Sequence, residues 1–117
     1  KHFCEPEDTT YLSEFSNGIA ASSKRRIDWL HLPVPRDRDD KEYFGPLANL
    51  NLDKETELYL GLVHSTGGIE GTRRRIRTAK NFVTRFGIST ECGLGRRKKE
   101  TLPALLDQHR VIVESTI

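Results

Sequence analysis

The sequence predicts an α/β fold of parallel strands with flanking helices, on three observations. Two strand-like runs, one ending in His64 and one at Cys92, each lead through a Gly-rich turn into a helical segment. Strand starts near residues 27, 57 and 87 recur at about thirty residues, the length of one βαβ unit. The run Glu57-Leu58-Tyr59-Leu60-Gly61-Leu62-Val63-His64 is mostly apolar on both faces, as in a strand covered by helices. Three such units preceded by a helix make a parallel sheet with right-handed crossovers, and such folds put their chemistry at the carboxyl ends of the strands. No residue-level repeat accompanies this architectural period. Three strands close no barrel, so two sheet edges need covering by another chain or by preceding sequence.

Each element has its own local cause. Glu5-Pro6-Glu7-Asp8 starts a helix over residues 7–23, with Tyr11, Leu12, Phe15 and Ile19 at helical spacing. After the polar break Lys24-Arg25-Arg26, Ile27-Asp28-Trp29-Leu30-His31-Leu32 reads as a strand, stopped by Pro33-Val34-Pro35 because proline cannot donate to a ladder. Residues 37–40 cap a short helix through Tyr43 and Phe44, interrupted by Gly45-Pro46. The second strand, residues 57–64, turns at Ser65-Thr66-Gly67-Gly68 into an amphipathic helix carrying Ile76, Ala79, Val83 and Phe86 and ended by Gly87. Ile88-Ser89-Thr90-Glu91-Cys92 is the third strand. A last helix opens near Thr101 with Pro103 in its first turn, followed by Leu105, Leu106 and His109, and Val111-Ile112-Val113 is open to either helix or strand.

Length and composition bound the function. A chain of 117 residues, 35% hydrophobic and 31% charged, reads as one soluble domain. It has no apolar run near the ~18 residues of a membrane span and no basic-then-apolar leader, which predicts a cytoplasmic protein without a membrane partner. Cys4 and Cys92 are far apart in a chain too large to need a staple and read as free thiols. With 19 basic and 17 acidic residues the net charge of +2 demands no polyanion. The clusters Arg73, Arg74, Arg75, Arg77 and Arg96, Arg97, Lys98, Lys99 read as a solvated helix face and a loop, with no interleaved aromatics for single-strand binding, so nucleic acid is not an expected partner. The absence of methionine and the start at Lys1 lead to the expectation that residues precede it and that the chain is the tail of something larger.

Three segments carry a resemblance: Trp29-Leu30-His31-Leu32-Pro33-Val34-Pro35-Arg36-Asp37, Leu60-Gly61-Leu62-Val63-His64 and Glu91-Cys92-Gly93-Leu94-Gly95-Arg96. Over residues 1–113 the chain resembles the last three βα units of the superfamily that joins cobalamin-independent methionine synthase and uroporphyrinogen decarboxylase, closest to its uncharacterised members. Those are (β/α)8 TIM barrels, so the resemblance implies one partial barrel domain over residues 1–117. In the methionine synthases a Cys-Gly-Leu segment on the last strand supplies a thiolate to a catalytic zinc, which Cys92-Gly93-Leu94 resembles. The preceding strand there ends in a histidine near the substrate, as His64 does here, and a His-x-Cys pair supplies two ligands, a spacing found in His2-Phe3-Cys4. The family's glutamate ligand has no counterpart, because Pro33 falls at about that point.

The residues themselves leave alternatives open. Cys92 beside Arg96 and a helix N-terminus would have its thiolate favoured as a zinc ligand or reactive group, whereas a lone cysteine is otherwise a small buried hydrophobe. Structural zinc needs four ligands and catalytic zinc three with an open position, a count that His2, Cys4, His64 and Cys92 can meet. His64 reads as ligand, proton donor or substrate contact, His31 as a core or barrel-interior histidine, and His109 as structural. Glu91 falls on the opposite sheet face from Cys92. Gly67, Gly68 and the Gly93-Leu94-Gly95-Arg96 loop sit where barrels hold phosphate or carboxylate, but positive-φ turns equally explain the glycines. Arg36 and Asp37 either line the mouth or pair and cap. The expected function is metal-assisted alkyl transfer to a thiol on a small anionic substrate, with zinc at Cys92, His2 and Cys4, His64 catalytic, and Arg96, Arg36, Gly67 and Gly68 on the substrate. The alternative is a noncatalytic α/β module that pairs with another subunit or a second copy through its open edges.

Overall fold

A computed structural model describes residues 6–90 and 93–116. Helix α1 (Thr10–Ser22) is followed by β1 (Trp29–Pro33), α2 (Lys41–Phe44), β2 (Glu57–Val63), α3 (Gly68–Ala79), β3 (Gly87–Thr90) and α4 (Leu102–Thr116). A 3-10 turn over Gly45–Asn49 extends α2, and others over Leu94–Arg96 and Lys99–Thr101 lead into α4. The strands form one parallel sheet in the order β1-β2-β3. The chain is therefore a mixed α/β layer, a three-stranded parallel sheet flanked by helices. Among the described residues no helix is long and apolar enough to cross a membrane.

Pro33 belongs to β1 and lies opposite Gly61 rather than stopping the strand before it. The amide of Glu57 donates to the carbonyl of Asp28 at 2.9 Å. In a parallel ladder that register turns the backbone groups of Leu30 and Leu32 toward β2 and those of Trp29, His31 and Pro33 toward the free edge. The N–H that proline lacks is therefore one that the sheet does not use.

The main core lies on one face. Leu32, Val34, Leu58, Leu60 and Leu62 form a continuous core with Tyr43, Phe44 and Leu47 from the α2 region, Ile76 and Ala79 of α3 and Ile112 of α4. By strand alternation the opposite face carries Trp29, His31, Tyr59, Gly61 and Gly87, and none of these joins that core. Trp29 is 63% exposed. The Tyr59 ring lies against Gly87, where an added Cβ would come within 2.5 Å of it. On this face β2 contributes Tyr59, Gly61 and, at its carboxyl end, the fully buried Val63.

Three helices depart from the expected limits. Helix α1 begins three residues later than predicted, and of its expected apolar residues Leu12 packs against the core whereas Tyr11 and Phe15 are each 73% exposed, while Ser13 and Ser16 face inward. The surface beneath it is the β1–β2 connection, which presents backbone carbonyls. The Thr9 hydroxyl donates to the carbonyl of Tyr43 at 2.9 Å, Ser13 to Pro46 at 3.0 Å and Asn17 to Asn49 at 2.8 Å. Helix α3 ends at Ala79, short of Val83 and Phe86, because the Asn81 amide turns back onto the carbonyls of Arg77 and Thr78 and closes the last turn. Phe82, Val83 and Phe86 still pack against the core from the irregular segment that follows. The ambiguous Val111-Ile112-Val113 is helical within α4, with Ile112 fully buried.

Asp40 caps α2 by accepting from the Tyr43 amide at 3.0 Å. Arg38 grips the same carboxylate with Nε and Nη2 at 2.8 and 2.9 Å and stacks 4.8 Å above the Tyr43 ring. The guanidinium bonds first, and the Tyr43 amide after them, bring the Asp40 carboxyl down to about 2 against the opposing effect of burial.

Candidate functional site at the carboxyl ends of the strands

Beyond the last residue of β1 the chain runs Val34-Pro35-Arg36, and beyond β2 it runs His64-Ser65-Thr66-Gly67-Gly68 into α3. Gly67 and Gly68 both adopt left-handed backbone, with φ of 74° and 61°, and the Gly68 amide closes the turn on the Ser65 carbonyl at 3.0 Å. Two successive positive-φ positions would each cost a side-chain-bearing residue about 1 kcal/mol or more, which accounts for both glycines. After β3, Gly93 has φ of 88° and opens the 3-10 turn that holds Arg96.

Buried polar side chains knit these ends together. Arg75 of α3, 3% exposed, donates from Nε to the Leu62 carbonyl at 2.8 Å and from Nη1 to the Arg36 carbonyl at 3.0 Å. Its Nη2 reaches the Thr66 carbonyl at 3.4 Å and the Thr72 hydroxyl at 3.2 Å. Burial lowers the Arg75 pKa from the ordinary arginine value, with Asp39 opposing and Arg74 adding to the effect; an arginine nevertheless stays charged. From α4 the Gln108 amide donates to the His64 carbonyl at 2.6 Å, the Thr72 hydroxyl at 3.1 Å and the Gly68 carbonyl at 3.3 Å. Strands β1 and β2, the β2 turn, α3 and α4 thus meet around two side chains.

His64 is 2% exposed, and its Nε2 lies 2.7 Å from the Val34 carbonyl. A carbonyl can only accept, so the proton sits on Nε2. The ring therefore ties the end of β2 to that of β1 and points into the structure rather than out to the mouth.

The exposed rim consists of Arg36, Asp37, Ser65, Thr66, Gly67, Gly93, Gly95 and Arg96. The Arg96 guanidinium folds back over Gly93, where a Cβ would come within 2.5 Å of Nη2. Its neighbour Arg97 bridges the two loops, donating from Nη2 to the Ser65 hydroxyl at 3.0 Å and from Nε to Thr101 at 3.2 Å. The rim is shallow. Two concavities of about 460 Å³ lie elsewhere, one at the amino-terminal side of β1 and β2 between Asn17, Ile27 and Thr56, the other on the outer face of α1.

The structure thus brings Arg36, Gly67, Gly68 and Arg96 to one end of the sheet and seats His64 beneath them. His2, Cys4 and Cys92 lie outside the described residues, as does Glu91. Among the described residues no three His, Cys, Asp or Glu side chains form a group that could hold a metal ion, and His64 directs Nε2 at a carbonyl. Arg75, Thr72 and Gln108 are the residues that sequence reasoning did not single out as parts of the site. Arg75 does not belong to a solvated face: with Thr72, Ile76 and Ala79 it shares one buried stripe at spacings of three, four and seven, a register readable from the sequence. Of its cluster mates, Arg73 pairs with Glu70 at 2.8 Å and Arg74 with Asp39 at 3.3 Å, which reduces the unpaired charge available to a polyanion. In comparison with known proteins, no family model, no curated protein and no solved structure matches this chain.

Proposed function

We propose that this chain is part of a barrel enzyme resembling the methionine-synthase superfamily, binding a small anionic substrate at the carboxyl ends of its strands. The observation that carries this reading is the layer itself: three sequential parallel strands with one continuous core on one face, to which the α2 region, α3 and α4 contribute. The other face holds Trp29, His31 and Tyr59, and in a barrel that face is the interior. Exposed Arg36 and Arg96 would meet the substrate's negative charge, and Ser65 and Thr66 offer hydroxyls on the same rim.

Positioning falls to the buried network. Arg75 and Gln108 hold the loops after β1 and β2 so that the rim groups need not reorganise when an anion arrives. His64, read as catalytic, keeps the strand ends in register through Val34, and proton transfer by its Nε2 would require it to leave that carbonyl. His2, Cys4 and Cys92 stay the proposed zinc ligands, and a zinc bound there would favour the thiolate of a substrate thiol for group transfer. The chemistry that this chain's described residues support is anion binding and orientation.

Amide chemical shifts of the ¹⁵N-labelled chain, followed during titration with inorganic phosphate and separately with zinc sulfate, test both parts. Phosphate is expected to move residues 65–68 and 93–97, and Arg96→Ala to weaken that response several-fold. Zinc is expected to move the neighbourhood of Cys92 and to lose its effect in Cys92→Ser. Phosphate shifts scattered over the surface would overturn the anion mouth, and a zinc response that Cys92→Ser leaves intact would overturn the metal site.

A further inference from the structure

We infer that the outer face of α1 is a docking surface for α1 of a second copy of this chain, the two helices running antiparallel and crossing at Gly18. Thr9, Ser13 and Ser16 occupy the inward side and are at most 4% exposed. Directly opposite, Tyr11, Glu14, Phe15, Gly18, Ile19 and Ser22 line a concavity of about 460 Å³. Tyr11 and Phe15 at 73% and Ile19 at 45% are half of the exposed large hydrophobic residues among those described. A solvated helix carries charge on that side, and an apolar stripe there marks a contact surface. Above Gly18 a Cβ would meet nothing within 4 Å, so another backbone can approach closely at the middle of the stripe.

Charge selects both the partner and its direction. Glu14 is the stripe's only charged residue, while Lys24 and Arg25 follow the helix, fully on the surface. None of the three forms an ion pair with a described residue, whereas Arg26 is engaged by Asp28 and Glu55. Antiparallel pairing about Gly18 sets Glu14 of one copy opposite Ser22 of the other, where the helix ends and the cationic Lys24-Arg25 segment follows. Parallel pairing would instead put Glu14 against Glu14. The stripe therefore complements itself in one orientation only, as a two-fold interface must. Three large side chains per copy fall short of the roughly 800 Å² per partner of a standard stable interface, so the dimer belongs to the weak, micromolar class. Pairing through α1 leaves the carboxyl-end rim uncovered.

Sedimentation of the full chain over a concentration series tests this. The wild-type chain is expected to pass from monomer to dimer as concentration rises, and Phe15→Glu to weaken association at least tenfold. Glu14→Lys should weaken it several-fold, and adding Lys24→Glu and Arg25→Glu to that variant should restore it. All four positions are solvent-facing, so an unchanged far-ultraviolet circular dichroism spectrum separates lost pairing from lost folding. A chain that stays monomeric throughout overturns the inference and assigns the face to a different occupant. A dimer indifferent to Phe15→Glu and to the charge exchange also overturns it, pointing to the sheet edges instead.

Discussion

Helices α1 and α3 invert one another. The first buries hydroxyls and turns Tyr11 and Phe15 to solvent, while the second buries an arginine among Thr72, Ile76 and Ala79 and turns charge outward. The difference lies in the surface beneath each helix. Below α1 the β1–β2 connection offers carbonyls of Tyr43, Pro46 and Asn49, which need donors. Beneath α3 the strand leucines of β2 need apolar cover, except where Leu62, Arg36 and Thr66 leave carbonyls that only a long cationic donor can reach. A helix's inner face is complementary to its seat, and hydrophobic spacing alone does not say what the seat is.

The largest effect expected from this contrast is at Arg75. Arg75→Leu keeps the aliphatic contacts but removes the donors shared by four acceptors, two of which, the Leu62 carbonyl and the Thr72 hydroxyl, are buried. A loss of about 3 kcal/mol is expected, read as a lower urea midpoint at unchanged slope. Arg75→Lys should recover less than half, because one ammonium cannot reproduce a fork that spans two strand ends. A fully stable Arg75→Leu chain would mean that the carbonyls find water and that the network is ornament rather than support.

How much could be read in advance follows from the same contrast. The three strands, their parallel order and the helices between them were legible because the leucines of β2 and the stripe of α3 are periodic against a single apolar seat. Arg75 was legible in register and hidden by composition, since three consecutive arginines read as a solvated run. The inverted face of α1 was not legible: its seat is built from backbone carbonyls, which every sequence possesses. Strand ends and turn glycines in the sequence put Arg36, Gly67, Gly68 and Arg96 at one end of the sheet, and the structure has them there. His64's attachment to Val34 depends on the β1–β2 register, which no local pattern encodes.

Acid should act on the seat of α1 more than on that of α3. Asp40 has its carboxyl lowered from 3.8 to about 2 by Arg38, and it caps the turn whose Tyr43 carbonyl receives Thr9. A lowered folded-state value means stability that is complete above the unfolded value and lost as pH falls through 4 toward 2. With the Asp40 side chain 40% exposed, solvent screening reduces this to about 1 kcal/mol. Asp40→Asn should flatten that part of the pH dependence, and hydrogen exchange should quicken in α1 and α2 before α3. Equal acceleration in α3 would show that the cap serves the whole layer and not the α1 seat.

The smallest effects test the inversion most directly, because ordinary hydrophobic reasoning ranks them the other way. Ser13→Ala deletes a buried hydroxyl that serves the Pro46 carbonyl, and although alanine is the better helix former, a net loss of about 1 kcal/mol is expected. Phe15→Ala removes a far larger side chain, yet one 73% exposed, so the monomer should change by less than about 0.5 kcal/mol. Urea unfolding at a concentration low enough to keep the chain monomeric measures both. If Phe15→Ala proves the more damaging there, the phenylalanine is covered within one chain, and neither the polar seat of α1 nor its outward pairing face survives.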